Sequence, residues 1–234
     1  MSTNRFEIKE ALRFGWDTVK ANIGFFIALL VVAFLIQVIP RVIGEVIYDR
    51  LPLVSLVLYL IATVLEIVVS LGLIKVSVNF CDAIKGKLDD LLSSFHLVFS
   101  YFAAAVVYFL IVVAGLFLFV VPGVIWFIKY SLFPYFIVDQ KMGPIEAIKA
   151  SGKATAGVKY QLFLFILLLW LVNFGGLLAL GIGLFVSIPV TMVSYAYVYR
   201  QLAGKGTSSS KKKTTPQGGT TSGVKGVMYV NLGG

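Results

Sequence analysis

An acidic residue inside an apolar stretch is the feature of this sequence that most suggests a functional site. Glu66 lies within the stretch 53–75, which is otherwise almost entirely apolar until Lys75. A carboxyl group in lipid is expensive unless it is paired or hydrated, so such a residue is a candidate functional site by default. Lys129 is the only basic residue well inside another apolar stretch. The two residues therefore form a candidate intramembrane polar pair.

Two interpretations of Glu66 and Lys129 are open. At the rise of an α-helix, Glu66 lies roughly 20 Å and Lys129 roughly 10 Å from the predicted outer ends of their helices. Tilt and the long lysine side chain can close this stagger, so the residues can form a charge pair that fixes helix register. A protonated Glu66 that donates a hydrogen bond would be equally structural. We favour these structural roles. The alternative is an ion- or proton-coupled site.

Metal and nucleophile chemistry has few residues available in this chain. His96 is the only histidine and Cys81 the only cysteine, so no His/Cys cluster can form. No Ser/His pairing is placed for acyl transfer. The richest glycine cluster lies among Leu, Ala and Ile, which favours turn formation and close helix packing over a phosphate loop. The sequence predicts no cofactor, no metal site and no enzyme activity.

The composition indicates lipid as the solvent of most of the chain. Hydrophobic residues make up 59% of the 234 residues and charged residues 13%, against about 25% charged in a soluble domain. The net charge is +9, but the basic residues lie between and after the apolar stretches. That distribution is typical of orientation in a membrane and not of nucleic-acid binding.

The apolar stretches predict six transmembrane helices. A span needs about 20 mainly apolar residues. We predict a stop of the first span at Pro40, a turn between the third and fourth at Pro122-Gly123, and a short fourth span that contains Lys129 and Pro134. The predicted spans are 23–39, 53–75, 101–121, 124–138, 160–174 with a possible extension to residue 178, and 183–199.

Three amphipathic stretches each precede a pair of spans. The first places Ile8, Leu12, Trp16 and Val19 on one helical face. The second repeats Leu88, Leu91, Leu92 and Phe95, and the third begins at Pro144, a residue favoured at the first helical position. The pattern predicts an all-α polytopic membrane helix bundle. It contains three hairpins, and an interfacial amphipathic helix precedes each of them.

The basic residues predict the orientation of the bundle. Of the 20 Lys and Arg residues, only Arg41 and Arg50 fall in segments on one side, and Lys129 lies within a span. The others lie on the opposite side, which the positive-inside rule assigns to the cytoplasm. Both termini are therefore predicted to be cytoplasmic.

The C-terminal segment differs in composition from the rest. We predict a transmembrane domain over residues 1–203 and a flexible cytoplasmic tail, rich in Lys, Gly, Ser and Thr, over 204–234. The run Lys211, Lys212 and Lys213 is a candidate contact for anionic lipid headgroups. A solvated tail that only obeys the orientation rule is an equal alternative.

The arrangement of spans and a set of residues around the fourth span resemble a known family. These residues are Val121-Pro122-Gly123, Lys129, Pro134, Asp139, Glu146-Ala147, Ser151 and Gly157. The chain resembles, over roughly residues 5–202, the glycerophosphodiester phosphodiesterase membrane-domain family and related uncharacterised six-helix membrane proteins of bacteria and archaea. The resemblance implies the fold and a multi-pass location in a prokaryotic cytoplasmic membrane. It implies no catalysis, because the phosphodiesterase activity belongs to a separate soluble domain. The Lys-rich tail departs from the family pattern.

These observations predict a non-catalytic integral membrane protein, a scaffold or accessory subunit acting on lipids or partner membrane proteins. The alternative is a transporter or channel that uses Glu66 and Lys129. A polar-lined cavity reaching Glu66 would favour transport, whereas a dry bundle with Glu66 paired to Lys129 would favour the scaffold. The predicted partners are the lipid bilayer, anionic lipid headgroups and membrane proteins. The oligomeric state is left open.

Overall fold

The computed structural model describes residues 6–179 and 181–204, and this part of the chain is helical without a β-strand. Two short 3-10 helices, Leu88–Leu91 and Phe95–Leu97, lie between the third and fourth α-helices. The α-helices are α1 Ile8–Ala21, α2 Ile23–Ile47, α3 Pro52–Cys81, α4 Val98–Leu118, α5 Val120–Tyr130, α6 Phe133–Gln140, α7 Pro144–Ala154, α8 Lys159–Leu178 and α9 Leu184–Leu202.

Five helical segments are long and apolar enough to cross a membrane: α2, α3, the segment Leu88–Leu118 that ends with α4, the segment Val120–Gln140 made of α5 and α6, and α8. Their most apolar parts are largely outward-facing, and in α2 only 17% of that part is buried inside the protein. Apolar side chains exposed on this scale require lipid around them. The structure therefore indicates a multi-pass membrane protein.

The last helix, α9, lies in the interior of the bundle, where it packs against α1, α2, α3 and α8. Small and polar side chains such as Ser187, Thr191 and Ser194 are buried along it. The crossing with α1 is close, because a Cβ at Gly15 would lie 2.7 Å from the carbonyl oxygen of Val190. Burial by other helices explains why α9 can be less apolar than the five candidate spans.

Two of the predicted helix boundaries are wrong. The first span does not stop at Pro40, because α2 continues through this proline to Ile47. A proline inside a membrane helix is tolerated when the freed backbone groups are satisfied locally. The third and fourth spans do not turn at Pro122-Gly123, since the extended residue Phe119 separates α4 from α5. Pro122 lies in the first turn of α5, where its missing N–H costs no intrahelical hydrogen bond.

The predicted fourth span, 124–138, is two helices instead of one. Pro134 has no N–H to donate to the carbonyl of Tyr130, and the chain leaves the helix between α5 and α6. Helix α7 supplies hydrogen bonds to other backbone groups at this break. The hydroxyls of Ser151 and Thr155 donate to the carbonyl of Lys129 at 3.1 and 2.8 Å. The N–H of Leu132 donates to Ser151 Oγ at 3.1 Å, so side chains of α7 stabilise the break.

The three predicted amphipathic stretches have different outcomes. The first is helix α1, whose buried residues are Ala11, Gly15 and Val19, and Trp16 of the predicted apolar face is exposed. The second is not one helix but the two 3-10 helices, with Phe95 exposed. The third is helix α7, which begins at Pro144 as predicted. The interfacial position of these segments stays a prediction.

The predicted tail lies almost entirely outside the described residues. Lys211, Lys212 and Lys213 belong to this segment, so their contact with anionic lipid headgroups stays a prediction. The same holds for the proposed boundary between a transmembrane domain and a tail.

Candidate functional site

Glu66 has a different partner from the one predicted. Its Oε2 accepts a hydrogen bond from Nη2 of Arg41 in a 2.6 Å ion pair between α3 and α2. No ion pair joins Glu66 to Lys129 in the part of the chain that the structure describes. The predicted pairing of Glu66 with Lys129 is therefore wrong. The helix that packs along α3 is α2, and its Arg41 lies within ion-pair distance of Glu66.

The register of the α2–α3 hairpin explains the pair. The hydroxyl of Tyr59 donates to Oε2 of Glu45 at 2.6 Å. In an antiparallel pair, that contact places Arg41 opposite roughly residue 63, about 4.5 Å short of Glu66 along the helix. Side chains lean toward the N-terminus of their own helix, so Arg41 and Glu66 lean toward each other. The remaining gap is well within the reach of an arginine side chain.

The pair lies on the outside of the bundle. The side chains of Arg41 and Glu66 are 50% and 47% exposed. The neighbouring residues Ile39, Val42 and Ile43 are also exposed. The sequence neighbours of the pair, Pro40 and Leu65, line an open groove of 430 Å³ together with Val32, Leu35, Ile36, Ile39 and Leu92. We call this surface, with its ion pair and groove, the α2–α3 face.

Lys129 lies on α5 and does not belong to the α2–α3 face. It is half-buried near the end of α5, and its Nζ lies 4.9 Å from the centroid of the Tyr130 ring. That distance allows a cation–π interaction. Within residues 6–179 and 181–204, no carboxylate lies within ion-pair distance of Lys129. Its side chain lines a cavity together with Lys149 and Lys153. Sequence reasoning treated Lys129 as half of a pair, and the structure places it among other cations.

Sequence reasoning missed a buried charge network that joins three helices. Arg200 of α9 is 6% exposed and forms ion pairs with Asp82 at the end of α3 and with Asp139 of α6, the latter at 2.7 Å. The hydroxyl of Tyr199 donates to the same oxygen of Asp139 at 2.7 Å, and Gln140 donates to Tyr199. The sequence showed Arg200 only as one of several basic residues after the last span. We assign this network a structural role, because its charges are used within the protein.

The other reactive residues are apart from one another. His96 is exposed and lies in a 3-10 helix. Cys81 is half-buried at the end of α3, with Sγ 4.0 Å from the carbonyl oxygen of Val193. In the described ranges, no three His, Cys, Asp or Glu residues are grouped so that they could hold a metal ion. The α2–α3 face therefore remains the candidate site, as a contact surface instead of a reaction centre.

Comparison of the chain with known proteins finds no matching family model, no matching curated protein and no matching solved structure. The resemblance to the membrane-domain family stays a prediction.

Proposed function

We propose that the chain is a non-catalytic integral membrane protein, a scaffold or accessory subunit, and that its α2–α3 face binds a helix of a partner membrane protein. The observation that carries this proposal is a half-exposed Arg41–Glu66 ion pair on an otherwise apolar, outward-facing surface. A charge exposed to hydrocarbon is costly, and charged residues in membrane proteins usually face other protein or water. A partner helix would cover the pair.

The chemistry of the face indicates the kind of partner. The groove beside the pair is lined by aliphatic side chains and accommodates apolar residues of a second helix. Arg41 uses one donor on Glu66, and a guanidinium has five. A partner helix with an apolar stripe and one polar acceptor, such as a Ser, Asn or Glu side chain, would satisfy both features.

The alternative of transport has less support. It would require a hydrated, polar-lined cavity that reaches Glu66. The groove that Leu65 lines has apolar walls, and the carboxylate of Glu66 is held by Arg41. The geometry therefore favours a surface that binds over a pathway that conducts.

We further propose six membrane crossings, with α9 as the sixth and both termini on the cytoplasmic side of a prokaryotic plasma membrane. Helix α9 has 19 residues, about 28 Å of rise, which is close to the thickness of the hydrocarbon core. Its burial by other helices allows a lower hydropathy than that of a lipid-exposed span. The asymmetric distribution of Lys and Arg and the family resemblance support the orientation.

The topology can be tested with single cysteines in a variant that lacks Cys81. Cysteines that replace the exposed residues Lys9, Lys87 and Lys149 should resist an impermeant thiol reagent in intact cells and react after the membrane is permeabilised. A cysteine at Asp49, in the connection between α2 and α3, should react in intact cells. Labelling of any of the three lysine positions in intact cells would contradict the orientation.

The partner face can be tested by site-specific photo-crosslinking in intact cells. A photoreactive residue at Ile39, which borders the groove and is 50% exposed, should give one discrete protein adduct. Replacing both Arg41 and Glu66 with leucine should reduce its yield at least about fivefold, which corresponds to about 1 kcal/mol of contact energy. Mass spectrometry of the adduct then identifies the partner.

The matched control is Leu171 of α8, which is exposed to a similar extent, 65%. A photoreactive residue there should give lipid adducts without a discrete protein band. If Ile39 and Leu171 give the same pattern, or if the Ile39 adduct is unchanged when both charges are removed, the α2–α3 face is not the binding surface.

A further inference from the structure

A cavity between α4, α5 and α7 brings three lysines together. It has a volume of 460 Å³ and is lined by Lys129, Lys149 and Lys153, with Tyr130, Gly152 and the aliphatic side chains of Val107, Ile111, Ile145 and Ile148. This volume is in the range of sites that hold small organic ligands. The cavity lies apart from the α2–α3 face, and none of its residues belongs to that face.

The helix break between α5 and α6 fixes the positions of the lysines. Ser151 and Thr155 bind the carbonyl of Lys129 and dock α7 onto the end of α5. Gly152 allows the close approach, because a Cβ there would lie 3.1 Å from the Tyr130 ring and 3.3 Å from Cε of Lys129. Lys149 and Lys153 are four residues apart on α7 and therefore share one face of the helix.

The cavity has an unbalanced positive charge. Its lining contains three lysines and no Asp or Glu. Among the described residues, none of the three lysines forms an ion pair with a carboxylate. Lys129 is half-buried in a segment apolar enough to span a membrane, where an uncompensated charge is costly. An anion in the cavity would remove this cost.

We propose that this cavity binds the phosphate headgroup of an anionic membrane phospholipid. Lysine ammonium groups bind phosphate as point charges, and basic pockets between membrane helices bind anionic lipid headgroups. The four aliphatic side chains form a wall on which the glycerol and the first methylene groups of the acyl chains can pack. A free phosphate ion would use the lysines and leave this apolar wall uncovered, so a lipid fits the cavity better.

The test measures lipid binding to the purified full-length chain in neutral detergent by native mass spectrometry. The probes are phosphatidylglycerol, phosphatidylcholine and inorganic phosphate. The wild-type chain should bind phosphatidylglycerol in preference to phosphatidylcholine. Replacing Lys129, Lys149 and Lys153 with glutamine should weaken phosphatidylglycerol binding on the order of 100-fold, at about fivefold per lysine.

A charge-matched control replaces three exposed lysines outside the cavity, Lys9, Lys85 and Lys159, with glutamine. Its affinity for phosphatidylglycerol should stay within about twofold of wild type. The double variant Lys149→Gln/Lys153→Gln changes only exposed side chains and keeps the half-buried Lys129, so it should fold and bind roughly 25-fold more weakly.

Three outcomes would overturn the proposal. Equal losses in the cavity variant and the control variant would show a general effect of surface charge. Equal binding of phosphatidylglycerol and phosphatidylcholine would exclude recognition of an anionic headgroup. Competition by millimolar inorganic phosphate, without any preference for lipid, would assign the site to a free anion.

Discussion

Replacing Arg200 with methionine should lower the free energy of unfolding in detergent by about 3 kcal/mol. The change removes the counter-charge that Asp82 and Asp139 share, and Asp139 is only 11% exposed. Removing one partner of a buried ion pair typically costs about 3–5 kcal/mol. We expect the lower end of that range, because Asp82 is 37% exposed and its charge is partly solvated.

A second substitution separates lost charge balance from lost packing. Adding Asp139→Asn to Arg200→Met should recover about 1–2 kcal/mol, since the buried carboxylate that lost Arg200 is then replaced by a neutral amide. The matched control is Arg13→Met. Arg13 is 81% exposed and lies 3.7 Å from Asp17, so its loss should cost less than about 0.5 kcal/mol. Equal losses at Arg13 and Arg200 would show that the buried network does not stabilise the fold.

Replacing Gly72 with alanine should destabilise the protein by about 2–3 kcal/mol. A Cβ at this position of α3 would lie 2.3 Å from the carbonyl oxygen and 2.4 Å from Cα of Leu91. These are backbone atoms, so the 3-10 helix Leu88–Leu91 must move. That helix is held by the ion pair between Lys75 and Asp90 at 3.2 Å, which the shift would weaken. Overpacking a tight contact typically costs about 1–3 kcal/mol.

Gly24→Ala is the matched control for Gly72→Ala. Both glycines lie in membrane-candidate helices, but a Cβ at Gly24 would meet no atom within 4 Å. Alanine is favoured over glycine in a helix by about 1 kcal/mol, so Gly24→Ala should be neutral or stabilising. Thermal unfolding in detergent measures both variants. Trypsin cleavage at Lys85 and Lys87 should also be faster in Gly72→Ala. Equal stability of Gly72→Ala and Gly24→Ala would contradict the close contact between Gly72 and Leu91.

The sequence by itself determined the class of the protein and much of its helix content. The apolar stretches predict where helices form, because hydropathy depends on each residue and its neighbours, independently of the tertiary fold. The predicted span 160–174, with its extension to residue 178, is helix α8 almost to the residue. Pro144 marks the start of α7 for an equally local reason, since the first residue of a helix has no N–H partner to lose.

Local rules predicted less well whether a helix ends at a proline. Pro40 and Pro134 have the same chemistry, yet α2 continues through the first and the chain breaks before the second. Tertiary contacts stabilise the second break, because Ser151 and Thr155 of α7 satisfy the carbonyl of Lys129 there. These two residues are 22 and 26 positions away from Lys129 in sequence, so no local pattern could show the contact.

Only the tertiary structure decided which charged residues meet. Ion pairs require two side chains within about 4 Å, and helix register and the direction of each side chain set that distance. The sequence identified Glu66 correctly as a charge inside an apolar helix, but it led to Lys129 as the partner, whereas the partner in the structure is Arg41. The same dependence on register joins Arg200 to Asp139, 61 residues away, and leaves Lys129 beside two other lysines on α7.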